Sequence, residues 1–334
     1  MKNPQSLLFA MQTLSKTRKR CYNVGMKNQK KQQNEGFFSS LIGDRTSSKT
    51  AGLTYTVAAL AMFAVSFVLS CIILGANIPE GENPDWVLYA QYLAVPFSFL
   101  FVGYWYFSYT KTPVKQFVKE QKCHWKYYLI AVALQVGLFS LSELNGVFLQ
   151  FLKRFGYQDV GINLPSMDGV GFIGVFVTIA LLPAIMEEFI FRGIFLRDTK
   201  DFSLLARVLI CGGLFALYHQ NPAQTIYQFI CGAAFALVAV KSGSFFPTML
   251  AHFINNGVIL LLTKLGLDTF TPTVYAITLV VSGLCLVSSL VYLLFFDGKE
   301  KKEKKGSYGQ LFACAALGIL LLFLSWIATF LTGI

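Results

Sequence analysis

The sequence predicts an all-α membrane protein, a polytopic bundle of about nine transmembrane helices. Of its 334 residues, 55% are hydrophobic and 13% are charged, and the mean hydropathy of +0.56 is too high for a water-soluble domain. Nine apolar segments approach the roughly 20 residues that a helix needs to cross a bilayer. The basic residues are also distributed very unevenly between these segments, as membrane topology requires.

The nine apolar segments follow one another along most of the chain. The fifth and sixth are the shortest, and little polar sequence separates them. Glycine and proline inside several segments are tolerated in membrane helices, where they permit close packing. The predicted spans are 52–76, 86–108, 127–150, 170–196, 204–219, 224–240, 245–263, 273–296 and 309–332.

The chain is expected to divide into four parts. Residues 1–50 hold ten basic and two acidic residues, and we expect them to form a disordered cytoplasmic tail that lies on anionic lipid. Residues 51–169 form the N-terminal transmembrane helices. Residues 170–262 form a core that contains the ionisable side chains described below, and residues 263–334 form the C-terminal transmembrane helices.

The positions of lysine and arginine predict the orientation of the chain. With a cytoplasmic N-terminus, 24 of the 28 basic residues fall in the tail and the cytoplasmic loops. Only Lys153, Arg154 and Lys264 fall on the opposite side. This asymmetry predicts an internal N-terminus and an external C-terminus. Because it also accounts for the net charge of +11, no nucleic-acid partner is expected.

One apolar segment contains three charged residues, Glu187, Glu188 and Arg192. Ionisable side chains at membrane depth are costly and usually functional. Glu188 precedes Arg192 by four residues, which places the two on one helix face as a pair that can neutralise itself. Glu187 lies about 100° away around the helix and has no such partner in the sequence. It is therefore the candidate reactive group.

Two histidines are predicted to lie at the depth of Glu187. Counting about 1.5 Å per residue from the nearest cytoplasmic basic residue puts Glu187, His219 and His252 roughly 15, 18 and 17 Å into the membrane. Asn256 follows His252 by one helical turn on the same face and offers a neutral hydrogen-bond donor. Three separate helices are thus predicted to bring a carboxylate, two imidazoles and an amide together.

Two mechanisms are compatible with this set of side chains. A buried carboxylate and an imidazole can hold a water and take its proton, while His252 and Asn256 donate hydrogen bonds to an oxyanion. Alternatively, Glu187, His219 and His252 can bind zinc with an open position for water, which leaves Glu188 as the base. The residues therefore leave open whether the site uses zinc or no cofactor.

The ionisable residues belong to three motifs whose order resembles that of the CAAX prenyl endopeptidase and bacteriocin-processing (CPBP) family. These proteins are intramembrane proteases, often described as metalloproteases. The similarity covers about residues 170–262 and implies a multi-pass protein of a bacterial cell membrane. The motifs are EExxxR (Glu187, Glu188, Arg192), FxxxH (Phe215, His219) and HxxxN (His252, Asn256).

The resemblance implies a role for each motif residue. Glu187 and His219 activate a water, His252 and Asn256 support the oxyanion, and the Glu188–Arg192 pair supports the site. The implied activity is endopeptidase cleavage of a peptide or membrane-anchored protein near the cytoplasmic side of the membrane. The partners implied are that substrate and membrane lipid.

Two other functions compete with the protease interpretation. A binding protein on the same scaffold, such as a bacteriocin-immunity factor or a partner of a membrane sensor, would have no need to bury Glu187. The complete motif set therefore favours the protease. A transporter would also bury charges, but the sequence has no obvious inverted repeat, and its intramembrane charges cluster in one third of the chain.

Overall fold

The computed structural model describes residues 47–79, 82–159, 161, 163–267, 271–298 and 306–332. The chain divides into two units, Met1–Arg45 and Thr46–Ile334, and all described residues belong to the second. Every regular element among them is a helix, so the predicted polytopic helical bundle is confirmed. The predicted tail lies outside the described residues except for its last four, which begin the first helix.

Ten helices lie in the described part of the chain, together with two 3₁₀ turns. Phe139–Leu141 interrupts α4, and Pro222–Gln224 precedes α7. In chain order the helices are α1 Ser47–Gly75, α2 Asp85–Thr110, α3 Val114–Lys119, α4 Lys126–Lys153, α5 Val170–Asp198, α6 Leu204–Tyr218, α7 Thr225–Ser242, α8 Phe246–Leu265, α9 Pro272–Phe296 and α10 Tyr308–Thr332.

Each of the nine predicted spans coincides with one of these helices, and α3 is a short additional one. By length and composition, eight helices in the described residues can cross a membrane. The exception among the predicted spans is α6, which has 15 residues. At about 1.5 Å per residue it is roughly 22 Å long, shorter than the ~30 Å hydrocarbon core. His219 is the first residue after this short helix.

Glycines let neighbouring helices approach closely at two places in the bundle. A Cβ atom added at Gly232 of α7 would lie 3.0 Å from the Cα of Gly212 on α6. On α4, a Cβ at Gly137 would lie 2.5 Å from the backbone nitrogen of Leu286 on α9. In both pairs a larger residue would push the helices apart, which explains why these apolar segments contain glycine.

Aromatic side chains hold the last turn of α6 against α1 and α2. The ring of Tyr218 stacks on Phe99 at a centroid distance of 5.1 Å, and its hydroxyl donates to the Ala58 carbonyl at 3.3 Å. The Tyr55 hydroxyl donates to the Leu214 carbonyl at 3.0 Å. These contacts satisfy the buried hydroxyls and fix the end of α6, from which His219 extends.

Candidate functional site

The two adjacent glutamates lie in α5 between two π-helical turns. The turns are Phe176–Leu181 and Phe189–Phe195, and an ordinary α-helical stretch, Leu182–Glu188, separates them. Pro183 has no N–H, so it cannot donate to the carbonyl of Ile179 four residues earlier. Such turns widen the helix locally and are frequent at functional sites. Here they bracket the acidic pair.

Glu188 and Arg192 form a fully buried ion pair. Arg192 Nη1 donates to Glu188 Oε1 at 2.9 Å, and both side chains are 0% exposed. Arg192 Nη2 donates to the Gly232 carbonyl at 3.2 Å, and the guanidinium lies 4.1 Å from the centre of the Phe215 ring. The positive charge is therefore compensated by a carboxylate, a carbonyl and an aromatic face.

His252 also contacts Glu188. Its Nδ1 lies 3.0 Å from Glu188 Oε1. Because the arginine keeps Glu188 ionised, the carboxylate can only accept, so Nδ1 of His252 is the donor. The spacing in the sequence predicts only the Arg192 contact of Glu188. The histidine contact joins residues 64 positions apart and has no local signal.

His219 is oriented by the last turn of α6. Its Nδ1 lies 2.9 Å from the carbonyl oxygen of Phe215, one of the carbonyls that a helix end leaves without a helical partner. A carbonyl can only accept, so Nδ1 donates and Nε2 faces away from the helix. The Phe215 ring packs against the imidazole at a centroid distance of 4.6 Å. This geometry gives the FxxxH spacing a physical reason.

Glu187 lies between the two imidazoles. Its Oε2 is 3.8 Å from His219 Nε2 and 4.0 Å from His252 Nε2. This oxygen is buried and has no hydrogen-bond partner among the described residues. A water 2.8 Å from two of these atoms would see them about 85–90° apart, which hydrogen bonding allows. Glu187 can therefore share a water with either imidazole.

The same three side chains do not fit a zinc ion. Zn–N and Zn–O bonds of about 2.0–2.2 Å place tetrahedral ligand atoms roughly 3.4 Å apart, whereas Oε2 of Glu187 is 3.8 and 4.0 Å from the two nitrogens. Among the described residues, no group of three or more His, Cys, Asp or Glu side chains has the arrangement of a metal site. Glu188, the base in the zinc alternative, is already held by Arg192 and His252.

Asn256 lies one turn after His252 on α8 and attaches this helix to α5. Its Nδ2 donates to the Ile179 carbonyl at 3.2 Å, and its Oδ1 accepts from Asn255 Nδ2 at 3.0 Å. The amide thus donates to a backbone carbonyl of the helix that contains Glu187. The structure brings Glu187, His219 and His252 together, and the catalytic roles of all four predicted residues stay a prediction.

Residues 169–258 match the family model described as type II CAAX prenyl endopeptidase, Rce1-like. No curated protein and no solved structure matches the chain. The match nearly coincides with residues 170–262, the segment delimited by the three motifs, and confirms the resemblance drawn from them. The chain thus contains an Rce1-like domain, which at the level of the family indicates a CAAX-type intramembrane endopeptidase.

Proposed function

We propose that this Rce1-like domain hydrolyses a peptide bond in a peptide or membrane-anchored protein, using a water held between Glu187, His219 and His252. The observation that supports this most is the buried Oε2 of Glu187. It has no hydrogen-bond partner among the described residues, and it faces both Nε2 atoms at 3.8 and 4.0 Å. A buried acceptor is costly unless it has a partner, and a reacting water is a suitable one.

In the proposed reaction, the water oxygen attacks the carbonyl carbon of the scissile bond, and Glu187 takes one water proton as general base. The carbonyl oxygen becomes an oxyanion in the tetrahedral intermediate. The C–N bond then breaks, and the proton held by Glu187 passes to the leaving nitrogen. The products are a carboxylic acid and an amine. His219 accepts a hydrogen bond from the water through Nε2 and so orients it.

His252 and Asn256 are the proposed donors to the oxyanion. Because Nδ1 of His252 donates to Glu188, its Nε2 can donate only when the ring is an imidazolium. The ring lies between two carboxylates, 3.0 Å from Glu188 and 4.0 Å from Glu187. A proton on His252 would balance the one negative charge that remains after Arg192 neutralises Glu188. The Glu188 contact therefore supports the donor role of His252.

We propose the orientation that the basic residues favour, with the N-terminus inside and the C-terminus outside. The active site then opens toward the cytoplasmic half of the membrane. Reporter fusions after Lys305 and after Ile334 are expected to report opposite sides, because α10 lies between them. Both reporters on one side would refute this topology.

The decisive experiment compares Glu187→Gln with the wild type in proteoliposomes. The probes are a fluorescence-quenched peptide with a farnesylated cysteine four residues from its C-terminus and the same peptide without the lipid. Loss of the general base is expected to reduce kcat by about 10²–10⁴, with normal abundance. Since the site does not fit zinc, the strong chelator 1,10-phenanthroline is expected to leave wild-type activity unchanged.

The matched control is Glu143→Gln, which makes the same substitution at an exposed glutamate on α4. It should retain wild-type activity. Activity of Glu187→Gln within a few-fold of the wild type would refute the assignment of the base, and inhibition by the chelator that added zinc reverses would refute the metal-free reaction. A wild type inactive on both probes, with a cellular phenotype that Glu187→Gln retains, would point to the binding protein instead.

A further inference from the structure

A second asparagine, Asn255, is the meeting point of three helices beside the site. It precedes Asn256 on α8 and is 8% exposed. Its Oδ1 accepts from Gln135 Nε2 of α4 at 2.8 Å and from the Tyr227 hydroxyl of α7 at 3.0 Å. Both donors thus converge on one amide oxygen.

This network continues through Asn256 in a single direction. The Ile179 carbonyl can only accept, so the Nδ2 of Asn256 must face it, at 3.2 Å. The Oδ1 of Asn256 then faces the Nδ2 of Asn255, at 3.0 Å, and the Oδ1 of Asn255 faces its two donors. Reversing the Asn256 amide would place its oxygen against the carbonyl oxygen. One carbonyl of α5 therefore orients the whole network.

The carbonyl of Ile179 belongs to the π-helical turn Phe176–Leu181 of α5, the helix that contains Glu187. The Nδ2 of Asn256 donates to it at 3.2 Å and ties α8 to α5 at this level.

Burying the side chain of Gln135 at this position destabilises the fold. Its side chain is 0% exposed, and its Oε1 has no hydrogen-bond partner among the described residues. A buried amide that is only partly satisfied destabilises a fold relative to an apolar residue of similar size. Packing alone would therefore favour leucine. The contact that Gln135 gains is the 2.8 Å hydrogen bond to Asn255.

We propose that Gln135, Tyr227 and Asn255 are positioning residues that orient the amide of Asn256 for the proposed reaction. Ile179 holds one proton of the Asn256 Nδ2, and the planar amide fixes the direction of the other. Asn256 shares its helix face with His252, so that second proton is oriented before an oxyanion forms. A donor oriented in advance needs no reorganisation during the reaction.

This inference rests on the proposed function and extends the site beyond the matched segment. Gln135 lies on α4, outside residues 169–258. The two donors reach Asn256 only through Asn255, so they are not catalytic residues. Their removal should weaken stabilisation of the transition state without changing how the substrate binds.

The test measures kcat and KM of Gln135→Leu and Tyr227→Phe on whichever of the two peptides the wild type cleaves. Each variant is expected to lose about tenfold in kcat with KM unchanged, less than the 10²–10³ lost when an oxyanion donor is deleted. The matched controls are Gln121→Leu and Tyr92→Phe. Gln121 is also buried, at 8% exposure, and the Tyr92 hydroxyl donates a 2.7 Å bond to the Asn163 carbonyl. Both controls should keep the wild-type kcat.

Equal kcat values in Gln135→Leu, Tyr227→Phe and the wild type would overturn the proposal. So would equal losses in variants and controls, since general destabilisation would then explain them. If the wild type cleaves neither peptide, the proposed function fails. Thermal midpoints in detergent then test separately whether Tyr227 is linked to Asn256 through Asn255. Tyr227→Phe should then lower the midpoint in the wild type but less in an Asn256→Leu background. Equal shifts in both backgrounds would show that Tyr227 and Asn256 are not linked.

Discussion

Helices α5 to α8 and the pair α1–α10 are stabilised in different ways. In the first region, a fully buried Glu188–Arg192 pair shares its carboxylate with His252. In the second, the helices approach so closely that a Cβ at Gly52 would lie 2.2 Å from the Leu311 carbonyl oxygen. The first region therefore depends on matched charge and the second on the absence of side-chain volume. The same membrane environment produces both requirements.

The second region also supports the first. On α1, the backbone carbonyl of Ala58 accepts from Tyr218, the residue just before His219. On α10, Trp326 donates to the hydroxyl of Thr225 at the start of α7 at 2.8 Å. Neither α1 nor α10 belongs to the segment that matches the family model. They contact both ends of the short loop between α6 and α7, and they leave the reactive groups to α5, α6 and α8.

The largest expected effect is the loss of stability in Glu188→Gln. Removing one partner of a buried ion pair costs about 3–5 kcal/mol because the other charge stays unpaired. The variant should therefore accumulate poorly in the membrane and have a lower thermal midpoint in detergent. Glu188→Gln combined with Arg192→Met removes both charges and should recover part of the abundance.

Comparison with Glu187→Gln makes this prediction specific. Glu187 has no ion-pair partner on its own helix, so its variant should remain folded and become inactive. The opposite result, in which Glu187→Gln fails to accumulate and Glu188→Gln is stable but inactive, would assign the base to Glu188. It would also remove the contrast between a structural and a reactive glutamate.

The next effect tests whether α1 and α10 pack so closely that an added side-chain methyl group destabilises the protein. Gly52→Ala forces a methyl group against the Leu311 backbone and should destabilise the protein by about 1–3 kcal/mol. The control is Gly309→Ala on α10, where an added Cβ would meet nothing within 4 Å. That change should be neutral or stabilising, because alanine favours the helix. Equal thermal midpoints for the two variants would show that close packing does not stabilise this pair.

The sequence predicts the helices well because each is a long apolar segment. It also predicts that Glu187, His219 and His252 lie at one membrane depth, since helical rise converts residue counts into distance. The structure places the three side chains close together. It does not predict the π-helical turns on either side of the glutamates. An extra residue in a turn rotates the residues that follow, but in a segment that is apolar on nearly every face this rotation leaves the hydrophobic pattern unchanged. These turns are features of local backbone geometry that periodicity does not report.

The contacts of Glu188 and Asn255 show a second limit. Spacing within one helix predicts the Arg192 contact of Glu188, but its contact with His252 joins two helices and depends on their rotation. The contacts of Asn255 are equally unpredictable from spacing, because its partners Gln135 and Tyr227 lie on other helices. A polar residue in an apolar segment signals that a partner exists. Only the packed structure identifies the partner.

The smallest expected effect concerns the contact between α10 and α7. Trp326 donates one hydrogen bond to the Thr225 hydroxyl, which itself donates to the Asn221 carbonyl at 3.0 Å. The indole also stacks on Phe330 at a centroid distance of 5.8 Å. Trp326→Phe removes the N–H and keeps an aromatic ring, so the loss of stability should be about 1 kcal/mol. Thr225 keeps its bond to Asn221, and the loop that follows His219 should keep its shape.

Trp326→Phe therefore tests whether α10 only stabilises the loop after His219 or also affects catalysis. If α10 only stabilises the loop, Trp326→Phe should lower the thermal midpoint slightly while the kcat of the folded protein stays at the wild-type value. Thr225→Val removes the same acceptor together with the Asn221 bond, and its larger midpoint shift would calibrate the measurement. A tenfold fall in kcat for Trp326→Phe at an unchanged midpoint would contradict this division. It would mean that α10 acts on His219 through the loop, and that the site extends to the C-terminal helix.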